Sequence, residues 1–426
     1  MTDGRAGARV AIIAANFWPE AIGIGRTVGE FAQFLAQAGV PVVVATSMPY
    51  YPEWRIWPGY RGRLWKTDRS GRVTVLRSWH LVARKPSTLT RLLHELTLSL
   101  FALPQLVRAL WGATAAYVVT PTLSYALVGT ALARLFGIRP VLIVKDVMPD
   151  AAVELGMLRN PVLIAASRWL ARGTYALAGE IHTLGEGMRQ RIARQTAHPA
   201  KVRIVRDTID GAELRPPRAE QNEFRRRYVP DGTFAVLHSG NMGRKQDLDL
   251  LLRTARRLQN EAGVRFYVFG DGAVKDEFLG TRDSWGLANV EHHPLEERRM
   301  LVHMLSGADV VLVSQMAEVV DIVVPSKLVT ALGAGAMVVA ACAPESETAR
   351  LIGASDGGLL VPAGDDAALA SVIRRIRAGE VPITAYRRRA REFALRYFDR
   401  RAVYGPLADA HVAAVPFSLG EGEQAS

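Results

Sequence analysis

Two doubly wound α/β domains, each a parallel sheet with helices on both faces, are the fold class this sequence predicts. Three observations carry that expectation. Short apolar runs rich in β-branched residues recur and alternate with stretches of helical periodicity, the βαβα grammar of parallel sheets. The grammar halts at a polar, Pro- and Arg-rich interval and then restarts. The chain's 426 residues, 49% hydrophobic and 22% charged, exceed one ordinary core and are too apolar for extensive disorder.

The segment "VAIIAAN" (10–16) reads as the first strand. The helix expected after it, 25–39, sets Val28, Phe31, Phe34 and Leu35 at helical intervals and ends at Gly39. Further strands are expected at 40–47, 115–120, 140–146, 180–184 and 202–207, with helix-length segments between them. Residues 208–232, which include "RPPRAEQNEFRRRYVPDG", read as a linker, so the first domain is 1–207. The second domain, 233–384, places strands at 234–241, 264–272, 290–294, 308–315, 336–342 and 357–362. A helical stretch at 385–414 is long for either domain alone, and 415–426 reads as a frayed tail.

Composition narrows the function. With Cys342 as the sole cysteine, an intramolecular disulfide and a cysteine-built zinc site are excluded, and a reducing compartment such as the cytosol is expected. The first residues, "MTDGRAGARVAIIAANFWPE", run into a strand and lack the plan of a signal peptide. The net charge of +12 is spread in short clusters, "RRR" at 225–227 and 387–389, that suit solvated helix faces. No nucleic-acid-binding signature accompanies them, so nucleic acid is not an expected partner. The apolar stretch "LTLSLFALPQLVRALW" (96–111) is interrupted by Pro104 and Arg108 and falls short of the roughly 20 residues of a membrane span. It reads as a core helix or an interfacial one, with Arg84, Lys85, Arg91, Trp79 and Trp111 suited to anionic headgroups.

In open α/β sheets ligands bind beyond the carboxyl ends of the strands. Three such ends in the second half carry phosphate-binding chemistry. "HSGNMGRKQ" supplies Gly240, Asn241, Gly243, Arg244 and Lys245; "FGDG" supplies Gly270, Asp271 and Gly272; "VVPSKL" supplies Ser326 and Lys327. Glycines let a phosphate reach the backbone, and helix N-termini offer free N–H donors with partial positive charge. A diphosphate pocket is the expectation. In the first half the G-x-G-x-x-G dinucleotide pattern fails at Val28, so a nicotinamide enzyme is not expected.

The segments "FWPEAIGIGRTVGEF", "PYYPEWRIWPGY", "RKPSTLTRLLHE", "VKDVMPDAAVELGML", "HSGNMGRKQDLD", "FGDGAVKDEF" and "VVPSKLVTALGAG" add a resemblance. Their order and spacing resemble the WcaI-type glycosyltransferases of glycosyltransferase family 4, over residues 9 to 400. The resemblance implies the GT-B fold: two Rossmann-like domains facing across a cleft, a nucleoside-diphosphate sugar bound mainly by the second, and the 385–414 helix crossing back to the first. It also implies transfer with retention to a polyprenyl-diphosphate-linked saccharide in exopolysaccharide synthesis, at the inner face of the cytoplasmic membrane, with neither metal nor cofactor.

By position, Lys245 matches the family lysine that contacts the donor diphosphate. Ser326, Lys327 and the amides around Leu328 would grip the same group, and Asp321 a sugar hydroxyl. Thr330 would bond the ribose or be an ordinary helix residue. Gly23 and Gly25 match the loop facing the donor phosphates and acceptor. Asp146 would position or deprotonate the acceptor hydroxyl, while Asp150 acts nearby or caps a helix. The chain departs from the wider family at Asn241, where many members have arginine, and at Ile322 and Thr330, where a glutamate pair is usual. No carboxylate pair for double displacement is evident, and the resemblance implies same-face attack, a donor phosphate oxygen helping to take the acceptor proton. The "DLD" at 247–249 looks like a metal motif, yet Asp247 also suits a helix start. A sugar-nucleotide epimerase and a non-catalytic scaffold stay open as alternatives.

Overall fold

Val10, Ala11, Ile12 and Ile13 are all fully buried, and so are Ala235, Val236 and Leu237. Strands apolar on both faces can only be the centres of sheets covered by helices on each side. The computed structural model describes residues 9–20, 23–84, 87–154, 158–318 and 326–413. The chain divides into two units, Met1–Val205 with Tyr404–Ser426, and Arg206–Val403.

The first unit begins β1 (Arg9–Ile13), α1 (Gly23–Gln37), β2 (Val42–Ser47), β3 (Trp65–Ser70) and β4 (Val73–Ser78). It continues α2 (Thr88–Phe101), α3 (Leu103–Leu110), β5 (Ala113–Val119), α4 (Leu123–Leu135), β6 (Val141–Val144) and α5 (Asp150–Glu154). Then come α6 (Pro161–Leu177), β7 (Glu180–Thr183), α7 (Glu186–Ala193) and β8 (Val202–Ile204). Its sheet has the order β3-β4-β2-β1-β5-β6-β7-β8. All neighbours are parallel except β3, which runs antiparallel to β4 across Trp65↔Ser78 to Ser70↔Val73. The apolar stretch 96–111 is thus two helices that break at Ala102, with Pro104 in the first turn of α3, and among the described residues no helix is long and apolar enough to cross a membrane.

The second unit begins α8 (Glu223–Tyr228), β9 (Phe234–Ser239), α9 (Leu248–Arg257), β10 (Val264–Phe269), α10 (Lys275–Ser284) and β11 (Val290–His293). It continues α11 (Arg298–Gly307), β12 (Val310–Ser314), α12 (Ser326–Gly333), β13 (Val338–Cys342), α13 (Glu347–Ser355), β14 (Gly358–Pro362), α14 (Asp366–Arg377) and α15 (Ile383–Phe398). The sheet order β11-β10-β9-β12-β13-β14 is wholly parallel.

Two expectations change. Residues 208–232 are not a free linker: Ile209, Leu214, Phe224 and Val229 are buried in the core of the second unit. The helical stretch 385–414 is two helices, α15 and α16 (Arg400–Ala413), separated at Asp399. Ala390, Ala394 and Phe398 of α15 are fully buried in the second unit's core, so only α16 reaches the first unit. There Tyr404 lies 4.9 Å from the Phe31 ring and 5.7 Å from Phe34, and Tyr117 Oη is 2.8 Å from His411 Nε2. The two passages of chain out of the second unit run side by side, with Ile209 bridged to Asp399.

Candidate active site

In the second unit the loops after β9 and β10 are laced together. The Gly240 amide donates to Phe269 O (2.8 Å), the Met242 amide to Asp271 O (2.9 Å) and the Val274 amide to Met242 O (3.1 Å). This closeness requires the glycines. A Cβ on Gly270 would sit 2.3 Å from the Gly240 oxygen, and one on Gly272 would sit 2.5 Å from Met242 O and 2.7 Å from Asn241 Oδ1. Gly240 itself has φ +117°, a backbone region that side chains avoid, and a Cβ there would meet Lys327 Cε at 2.7 Å.

Lys327, in the first turn of α12, thus lies on the backbone of the β9 loop. Its Nζ donates to Asn241 O (2.9 Å) and stands 3.4 Å from His238 Nε2. Burial lowers the Lys327 ammonium from its ordinary value to about 8. His238, fully buried near the end of β9, is pushed down to about 3 by burial and by the Lys327 charge, so its ring is neutral and can accept from the ammonium. His238 is the one titratable residue in "FAVLHS", and its partner Lys327 lies far away in sequence.

The other predicted residues of this unit take distinct places. Arg244 and Lys245 sit on a short 3₁₀ turn, Arg244–Gln246, held by Met316 N donating to Lys245 O (3.0 Å) and by Ser314 Oγ donating to Gln246 O (2.5 Å). Arg244 is exposed and Lys245 half-buried, and among the described residues neither pairs with a carboxylate. The exposed Asn241 packs its amide toward Gly243 and Gly272. Asp271 faces solvent, held below the ordinary carboxylate range by the Lys275 ammonium 3.2 Å away. Ser326 is exposed, while the Leu328 side chain is fully buried, which leaves only its backbone for a ligand. Thr330 Oγ1 donates to Ser326 O (2.8 Å), as an ordinary helix threonine does. Asp321 and Ile322 lie outside the described residues. Asp247 caps α9, accepting from Leu250 N (3.3 Å) at φ +40°, and among the described residues no group of three metal-ligating side chains occurs.

The remaining candidates belong to the first unit. Gly23 opens α1 at φ +59°, and a Cβ on Gly25 would stand 2.8 Å from the Glu20 backbone oxygen. Glu20, absent from the residues expected at the site, is buried, and its carboxylate accepts from Tyr50 N (2.8 Å), Tyr51 N (2.9 Å) and Asn16 Nδ2 (2.9 Å). It ties the glycine loop to the loop after β2, and burial raises its pKa. Asp146 follows β6, half-buried, its backbone oxygen accepting from Met148 N (3.0 Å). Asp150 begins α5 and is engaged by Arg168 (3.4 Å) and Gln195 Nε2 (3.1 Å), a structural role.

Such a cradle of glycines, amides and lysines at strand ends recurs in proteins that hold phosphorylated ligands. Residues 23–208 match the family model described as "Glycosyl transferase 4-like domain", and residues 233–378 match "Glycosyl transferases group 1". The putative colanic acid biosynthesis glycosyl transferase WcaI of Escherichia coli K12 is 29% identical over 406 residues, 93% of this chain and 97% of that one. Among solved structures, sucrose-phosphate synthase from Thermosynechococcus elongatus superposes with a TM-score of 0.71 at 16% identity, over 95% of this chain and 98% of that one. Anabaena HepE in complex with UDP gives 0.70 at 14%, over 95% and 100%. The chain is a glycosyltransferase with the GT-B fold. Within that class it belongs to glycosyltransferase family 4, and it is similar to WcaI over most of its length.

Proposed function

We propose that the protein transfers a sugar, with retention of anomeric configuration, from a nucleoside-diphosphate sugar to a polyprenyl-diphosphate-linked saccharide during exopolysaccharide synthesis at the inner face of the cytoplasmic membrane. The observation that carries the donor half is the β9–β10–α12 cradle, where Lys327 lies against the Gly240–Asn241 backbone and glycines alone fit at 240, 270 and 272. The relatives agree: WcaI is named for colanic acid biosynthesis, and HepE was solved with UDP.

As the glycosidic bond breaks, negative charge grows on the departing diphosphate. Lys245 and Lys327, with the amides at the start of α12, stabilise that charge in place of a metal. The sugar acquires oxocarbenium character, and the acceptor hydroxyl attacks from the face that the diphosphate leaves. A donor phosphate oxygen takes the hydroxyl proton, with Asp146 orienting the acceptor. No carboxylate attacks the sugar. Asp321 holds a sugar hydroxyl.

Thermal unfolding with a panel of nucleoside diphosphates tests this. The cognate one at 100 times its Kd adds about 2.7 kcal/mol, and radiolabel from the matching nucleoside-diphosphate sugar passes into the lipid-linked fraction. If no nucleoside diphosphate stabilises the chain, the donor assignment fails; turnover of the sugar nucleotide without acceptor would indicate an epimerase instead.

A further inference from the structure

The second unit contains a cavity of about 680 Å³, within the range of pockets that hold small ligands. Every residue lining it belongs to that unit. It lies at the amino side of the sheet: Asp309 directly precedes β12, Gly335 stands between α12 and β13, and Gly307 ends α11. The glycine cradle stands at the carboxyl ends of β9 and β10, so the cavity and the cradle occupy opposite edges of one sheet.

Four arginines line this space, Arg225 from α8 and Arg387, Arg388 and Arg391 from α15. Steps of three and four put the last three on one helix face. Two acids line it with them, Asp309 and Glu392. Asp309 is already committed, its Oδ2 accepting from Arg225 Nη2 (2.5 Å) and from the Ala235 amide (2.7 Å). Glu392 sits at the exposed rim, 3.9 Å from Arg388. Arg387 and Arg391 are left with carbonyls. Arg387 donates to Ala308 O (2.5 Å), and its buried Nε has no partner among the described residues. Arg391 donates to Leu214 O (2.8 Å), Gly211 O (3.0 Å) and Gly333 O. Carbonyls orient a guanidinium without neutralising it. Burial lowers the pKa of both arginines, and a like charge adds to this, Arg225 at Arg387 against the pull of Asp309, and Arg215 at Arg391. Charge drawn out of water without a carboxylate is costly, and an anion in the cavity would offset that cost. Fastening residues 208–232 to the core accounts for Arg391, but it needs neither a cavity of this size nor Arg387 and Arg388 along its wall. Guanidiniums are matched to phosphate, whose oxygens they take in a fork.

We infer that this cavity is a second anion site, which takes a small soluble molecule carrying two or more phosphate charges on Arg387, Arg388 and Arg391. The site is separate from the donor cradle and does not rest on the transfer reading. Inorganic diphosphate is the probe, titrated calorimetrically into the full chain at about 0.1 M salt, where charges more than about 10 Å apart are largely screened. The parent should bind two equivalents, one at each edge of the sheet. Lys245→Ala should remove the cradle equivalent and keep the other. Arg387→Met with Arg388→Glu should do the reverse, weakening the cavity equivalent by about tenfold or more. Because Arg387 also holds Ala308 O, Arg388→Glu alone is the second variant; that side chain is 71% exposed, so the variant should unfold with the parent and still lose about tenfold at the cavity. Arg396→Glu makes the same charge change on the same helix outside the cavity and should keep both equivalents. Three results overturn the inference: no binding, or a single equivalent that Lys245→Ala removes; two equivalents undiminished in Arg388→Glu; or equal weakening by Arg388→Glu and Arg396→Glu, the mark of loose attraction to the helix. A single equivalent lost in Arg388→Glu and kept in Lys245→Ala would uphold the second site and defeat the donor assignment instead.

Discussion

At Lys327 charge and backbone meet most closely. Free of ligand, the ammonium titrates near 8 because burial disfavours its charge. A bound diphosphate favours the charged form, so binding takes up a proton once the pH exceeds that value. Affinity for a nucleoside diphosphate should therefore be level below about pH 8 and fall above it, by up to about tenfold per pH unit, as isothermal titration across that range would register. Lys327→Arg, which keeps its charge, should flatten the profile. Lys245→Ala should abolish stabilisation by nucleoside diphosphate and lower kcat by about 10²–10³-fold, the usual loss for a group that stabilises transition-state charge. Gly270→Ala drives a methyl into the Gly240 carbonyl and should cost about 1–3 kcal/mol in urea unfolding. Residue identities in this cradle were legible because glycine and lysine at strand ends have few other uses. His238 was not singled out, since a partner 89 positions away becomes a neighbour only once the sheet has formed. Thr330, matched to a ribose contact, spends its proton on its own helix.

Among the elements, the strands apolar on both faces were read with few errors, because nothing but a covered sheet accommodates them. The β3–β4 hairpin escaped notice. Trp65–Ser70 is a polar edge strand, protected by charge more than by burial, so its sequence resembles a loop. The supposed linker shows the opposite error: its prolines and arginines mask four buried apolar anchors and the short helix α8, which Asn222 caps by accepting from Arg225 N (3.1 Å). The capping logic also separates two meanings of "DLD". If Asp247 serves α9 alone, Asp247→Ala should destabilise the protein by about 1 kcal/mol and leave nucleotide binding within a few-fold, and a chelator should not slow transfer. Loss of transfer on chelation, restored by a divalent cation, would contradict the metal-free reading.

For the whole molecule, two restarts of one grammar made the pair of units legible from sequence. Which unit owns the last helices was not, because α15 and α16 share a continuous helical period and differ only in what they bury. Tyr404→Ala should destabilise the first unit by about 3 kcal/mol, seen as an earlier transition in a thermal scan with nucleotide stabilisation of the second unit preserved. The same feature sets an order of events during synthesis. Between Val205 and Tyr404 the ribosome must make the whole second unit, Arg206–Val403, which at about 5–20 residues per second takes roughly 10–40 s. Through that interval the faces of Phe31 and Phe34 that Tyr404 covers lie open on the nascent chain, and a message cut short anywhere before α16 yields a first unit whose seam never closes, a standing target for chaperones and proteases.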